Sequence, residues 1–163
     1  MKFKFLTKNF YISTIFIALI FALDRISKLY VIYLSDKVLI SEIFSSKFLN
    51  INLIWNEGIA FGLFSFHQNN LYNFLTIIIL GVIFVVFFMM IKSKGVKRYA
   101  LIMIFAGAIG NLYDRVAFKA VPDFIDFHIG EFHWFVFNIA DIFITLGVIF
   151  MILLELIDNN KNK

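Results

Sequence analysis

From Leu71 to Ile91 the sequence reads LYNFLTIIILGVIFVVFFMMI, an apolar run with no charged residue. At 1.5 Å rise per residue, a helix of ~21 residues covers about 30 Å, the hydrocarbon thickness of a bilayer. Lipid offers backbone N–H and C=O groups no partner, so a run of this kind satisfies itself as a helix. Three further segments approach the same length, at about 10–34, 99–116 and 135–157. The chain is 61% apolar and 16% charged, where a soluble domain lies near half and a quarter. The expected fold is therefore membrane all-α, a bundle of four transmembrane helices forming a single integral domain over residues 1–163.

The charges orient that bundle. Lys2, Lys4 and Lys8 precede the first segment; Lys92, Lys94, Lys97 and Arg98 lie between the second and third; Lys161 and Lys163 close the chain. The segments 35–70 and 117–134 hold only Lys37, Lys47 and Lys119. By the positive-inside rule both termini are expected in the cytoplasm and those two segments outside. The basic excess is thus a topology signal, and nucleic acid is not an expected partner. The run FYISTIFIALIFAL ends in DRISK, without a small-residue cleavage site, and is expected to remain as a span. With no cysteine, thiol nucleophiles, disulfides and thiolate metal sites are excluded.

The outer segments read differently from the spans. In KFLNINLIWNEGIAFGLF, Leu49, Ile51 and Leu53 alternate with Asn50 and Asn52, a strand pattern. Gly58 and Gly62 bracket a turn-rich stretch where backbone can approach a ligand. A small β-containing extracytoplasmic loop region is expected from these features.

An ionised side chain at the centre of a membrane helix costs about 2.5–3.5 kcal/mol on insertion scales, so each one needs a reason. The ionisable residues in question, with the polar amides beside them, are Asp24, Arg25 and Lys28 in the first span, Asn111, Asp114 and Arg115 late in the third, and Asn138 and Asp141 early in the fourth. Asp123 and Asp126 lie just outside, in VPDFID. With the third helix running outward and the fourth inward, these groups gather at similar depth near the outer leaflet. Bland roles are open to several of them. Asp24 and Lys28, at i and i+4, can neutralise each other. Asn111 and Asn138 can bond one helix to another. Arg115 stays protonated and suits a carboxylate or carbonyl. Asp114, adjacent to Arg115, needs a different partner. Asp126, with Glu57 and Glu131, reads as an exposed loop carboxylate.

Asp141 resists that treatment, since no basic residue is near it in sequence. Asp123 follows Pro122, which stiffens its approach. Two carboxyls meeting in a low-dielectric pocket would titrate as a coupled pair, one keeping a proton. Such a pair can activate water and polarise a carbonyl. His67, His128 and His133 lack dense ligand spacing, so no metal and no cofactor are expected. GxSxG, SxxK and glycine-rich phosphate loops are absent. A proton- or ion-coupled transporter also uses intramembrane acids, but these acids gather on one side instead of stepping across. A non-catalytic scaffold is the third possibility; it gives Asp123 no role.

NEGIAFG (56–62), AGAIGNLYDR (106–115), VPDFID (121–126) and FNIAD (137–141), with DRISK (24–28) before them, resemble in order and interval the lipoprotein signal peptidase family, signal peptidase II. The resemblance implies an aspartic endopeptidase of the bacterial inner membrane. Its substrates would be diacylglyceryl-modified prolipoproteins, cut before the lipid-bearing cysteine by dyad-activated water, with membrane lipids as neighbours and the enzyme a monomer. It implies Asp123 and Asp141 as the catalytic pair, and Asp24, Lys28, Asn56, Gly58, Asn111, Arg115 and Asn138 as residues that bind substrate or support that pair. Pro122, where valine is usual, and Ile59, where alanine is frequent, depart from the pattern without removing a functional group. A helix dipole at Asp141 would favour its anion, so Asp123 is expected to be the protonated partner.

Overall fold

The computed structural model describes residues 8–38, 42–58 and 69–161. Ile59, Gly62, His67, Lys2, Lys4 and Lys163 lie outside them. The elements run α1 (Lys8–Val38), β1 (Glu42–Ser45), β2 (Leu49–Asn56), α2 (Asn69–Lys92), α3 (Gly95–Phe118), β3 (Val121–Ile129), β4 (Phe132–Phe137) and α4 (Ile139–Lys161). Among the described residues α2, α3 and α4 are long and apolar enough to cross a membrane. The helix α1 is longer, at 31 residues, and carries Asp24, Arg25 and Lys28 along its length.

The third helix is the hub, packed against α1, α2 and α4. Between membrane helices lipid removes the hydrophobic drive, so close approach and polar bonds have to hold them together. The sequence supplies small residues for this. A Cβ on Gly107 would lie 2.5 Å from the Ala140 carbonyl oxygen, and one on Gly147 would lie 2.7 Å from that of Ala100. At Gly110 the obstacle would be Asp24 Oδ2, at 2.7 Å. Large apolar residues such as Ile77, Phe84, Ile152 and Leu156 point outward and are exposed, as lipid-facing positions require.

The four strands form one antiparallel sheet in the order β1-β2-β3-β4, set against α1 and α3. The alternating stretch from Leu49 is indeed a strand, β2, reaching Asn56. Segment 117–134, expected as loop, instead contains β3 and the start of β4, joined at Gly130, whose φ is +59°. The apolar run from Phe135, expected within the fourth span, begins as strand. Phe137 pairs with Ile125 and Val136 with Asp126, and α4 starts only at Ile139. Hydropathy cannot separate an apolar strand from a helix over so short a run, whereas the aromatic and β-branched sequence FHWFVF favours the sheet. Pro122 sits in β3 opposite Trp55 of β2, but β4 pairs only from Ile125 onward. At Pro122 the strand is therefore an edge, where a missing N–H is tolerated.

Gly107→Ala is expected to destabilise the fold by about 1–3 kcal/mol, because its methyl meets backbone that cannot step aside. Gly81→Ala, with open space around it, should be neutral or slightly stabilising through helix propensity. Thermal unfolding of the two variants in detergent checks both.

Candidate active site

The site is built on the way α4 begins. The first N–H groups of a helix have no partner within it, and here, with Asn138 and Ala140 fully buried, they cannot turn to water. Asn138 is the N-cap. Its Oδ1 accepts from the Asp141 backbone N–H at 3.1 Å, while Asp141 Oδ2 accepts from the Asn138 N–H at 3.2 Å. This is a reciprocal capping box with Asp in the third position. Asp24 of α1 adds an acceptor, Oδ1, to the Ala140 N–H at 3.1 Å. The two polar residues that seemed to interrupt a helix therefore start it.

The register of the sheet brings the second carboxylate to this point. Ile54 pairs with Asp123 and Asn56 with Val121, so Asn56 Nδ2 donates to Asp123 Oδ2 at 2.8 Å. Asn138 Nδ2 donates to Asp123 Oδ1 at 2.6 Å. Asn111, on α3, donates from Nδ2 to Asp141 Oδ1 at 2.7 Å. Each amide is held the right way round by a group that can only donate to its Oδ1: the Gly58 N–H for Asn56 at 2.9 Å, the Asp141 N–H for Asn138, and Lys28 Nζ for Asn111 at 2.9 Å. Both oxygens of both carboxyls consequently receive an N–H donor.

Asp123 is buried, 3% exposed. Burial, and next the negative charge of Asp141, push its carboxyl up to about 7, against the opposing pull of the Asn56 and Asn138 donors and the Lys28 charge. A carboxyl raised in the folded state favours folding fully below its unfolded value of 3.8 and loses that contribution as pH rises through about 7. Near neutrality this group is available both with and without its proton. Asp123 and Asp141 line one cavity of about 360 Å³ together with Asn56, Asn111 and Arg115. Apart from Thr145, its remaining wall is apolar, with Ile79, Ala108, Ile144 and Val148 among its residues. A second groove, about 470 Å³, reaches Asp141 from the side of Trp134 and Phe137.

Arg115 donates from Nη2 to the Gly58 carbonyl at 3.1 Å and from Nη1 to that of Asn111 at 3.2 Å. It holds the chain after β2 against α3. Asp24 and Lys28 do more than neutralise each other, because a second pair joins them. Lys28 Nζ lies 2.8 Å from Asp24 Oδ1 and 2.7 Å from Asp114 Oδ2. Arg25 Nη2 donates to Asp114 Oδ2 at 2.7 Å, and Nη1 is ion-paired by distance to Asp114 Oδ1 at 2.6 Å. Sequence inspection marks Arg25 and Asp114 as costly but assigns them no role; the pairing between α1 and α3 is a long-range fact. Tyr72 of α2 was also missed. It is buried, and its hydroxyl has no hydrogen-bond partner among the described residues.

Asp126 corrects an expectation. It is 4% exposed and takes a proton donor from His133 Nδ1 at 2.8 Å, because β4 folds back over it. It sits three residues from Asp123, on the opposite face of the strand. No group of acids and histidines able to hold a metal occurs among the described residues.

Residues 16–157 match the family model described as signal peptidase (SPase) II. The chain is 51% identical to the lipoprotein signal peptidase of Pelagibacter ubique, over 94% of this chain and 93% of that one. It is 42% identical to that of Anaplasma marginale, over 94% and 89%. A solved bacterial membrane enzyme, determined by the in meso method at 2.3 Å resolution, superposes with a TM-score of 0.77 at 30% identity, covering 93% of this chain and 91% of that one.

Asn138→Ser keeps a capping oxygen but loses the amide donor to Asp123. The variant should melt within ~1 kcal/mol of the parent, while the Asp123 carboxyl moves further above about 7. Infrared titration of the labelled carboxyl, alongside thermal melts, reads the two effects separately.

Proposed function

The chain belongs to the signal peptidase II family, and from that membership we propose that it is an aspartic endopeptidase removing signal peptides from diacylglyceryl-modified prolipoproteins. Cleavage falls before the lipid-bearing cysteine. The observation that carries the aspartic mechanism is that Asp123 and Asp141, from different elements, line one cavity and are both tied to Asn138. Asp141 is the base and Asp123 the acid. Asp141 accepts a proton from a water molecule as its oxygen attacks the scissile carbonyl carbon, and Asp123 donates its proton to the carbonyl oxygen. On collapse of the tetrahedral species, Asp141 returns the proton to the leaving nitrogen and Asp123 recovers its own from the hydroxyl. The peptide bond and one water become a carboxyl and an amine.

The apolar wall beside the dyad suits the greasy segment of such a substrate, which is already in the membrane. In this proposal α1 is the fourth span, its charges matched internally, and the whole chain is one integral domain of the bacterial inner membrane. Both termini face the cytoplasm, the dyad sits at the outer leaflet, and the protein acts as a monomer among lipids. The division of basic residues between the helix ends supports that orientation.

Asp123→Asn and Asp141→Asn are each expected to lower cleavage of a lipidated precursor by at least ~10²–10⁴-fold while the protein still inserts and melts normally. A gel-shift assay on the purified protein measures this; full cleavage by a clean Asp141→Asn preparation ends the dyad. The wild-type rate should also fall as pH rises through about 7, when Asp123 loses the proton it must donate. A pH–rate profile on the same substrate checks that.

A further inference from the structure

Arg25 stands outside the cavity and touches neither carboxyl of the dyad, yet it completes a buried charge balance connected to it. Three further ions share that cluster. Asp24, Lys28 and Asp114 are fully buried, and Arg25 is 12% exposed at its side chain, its guanidinium lying 4.9 Å from the Tyr113 ring centre. Without Arg25, a single ammonium would face two buried carboxylates.

The contacts run in a line towards the reacting end. Arg25 grips Asp114 with two nitrogens, at 2.6 and 2.7 Å. Asp114 shares its Oδ2 with Lys28, 2.7 Å away. Lys28 then has one donor left for Asn111 Oδ1 at 2.9 Å, which aims Asn111 Nδ2 at Asp141. An ammonium has three donors, and here Asp24, Asp114 and Asn111 take them. Removing the guanidinium leaves an excess negative charge that competes for Lys28, so that Asn111 Oδ1 keeps only the longer bond from Asn138 Nδ2 at 3.2 Å and its amide is held less firmly.

We infer that Arg25 is a positioning residue for Asp141, acting through Asp114, Lys28 and Asn111 by keeping the buried cluster neutral. This rests on the dyad proposed above. Among the described residues, the other charged or titratable groups facing this region are Arg115 on α3, Tyr72 on α2, Glu57 after β2, and Asp123 on β3. Arg115 also feels the charge of Asp114, but among the described residues the second cation ion-paired within the cluster of Asp24, Lys28 and Asp114 is Arg25.

The test is a set of pH–rate profiles on the full chain with a lipidated precursor. In Arg25→Gln the lost positive charge makes carboxyls nearby easier to protonate, so the optimum moves up by about half a pH unit or more. At neutral pH, kcat falls about 10-fold with KM within about twofold, because alignment is lost and substrate binding is not. Arg25→Lys restores the position of the optimum. So does the double change Arg25→Gln with Asp114→Asn, which removes one charge of each sign; it decides the matter if the single variant does not fold. An optimum that stays put in Arg25→Gln, or one still displaced in the double variant, overturns the inference. If Asp141→Asn is itself active, the dyad fails. If Asp141→Asn is dead while the Arg25→Gln optimum is unmoved, only this inference fails.

Discussion

A helix whose first turn is buried has to dispose of its first N–H groups, and the start of α4, where Asn138 and Ala140 are fully buried, is where this chain meets that demand. Asn138 and Asp141 satisfy each other reciprocally, and Asp24 reaches across from α1 to Ala140. An unpartnered buried amide costs roughly 1–3 kcal/mol, which is reason enough for three polar side chains at this depth. The chemistry is built from the same atoms. Once Asn138 Oδ1 is committed to the helix, its Nδ2 has only one way to point, and Asp123 lies there.

The charged cluster between α1 and α3 solves a related difficulty. Ions taken from water into a low-dielectric interior are tolerated when they are paired with opposite charge. Two acids and two bases meet here, and the absent side chain at Gly110 gives Asp24 room to lie against α3. What holds the first helix to the third is thereby also what fixes the Asn111 amide.

The four helices and the strand from Leu49 were legible because hydropathy and alternation are local signals. Pairs such as Asp24–Lys28 were legible for the same reason, lying one turn apart. The motif blocks pointed to Asn56, Asn111, Asn138, Asp123 and Asp141, which the folded chain does gather. The bonds to Arg25 and Asp114 were not legible, since they depend on which faces of α1 and α3 meet. Nor was the burial of Asp126: an acid in a loop and an acid under a hairpin have the same sequence until β4 is known to return over it. The boundary at 135–138 was misjudged because Phe135–Phe137 are as apolar as the helix that follows.

A helix terminus is ordinarily the portion that frays, its hydrogen bonds opening well before the middle of the same helix. Here Asp141 lies in that terminal turn. Local melting of a few residues would disperse the aligned oxygens while leaving the bulk of the molecule untouched, so the durability of the site depends on three tethers, Asn138, Asp24 and Asn111, the last two held in turn by Lys28, rather than on the strength of the fold at large.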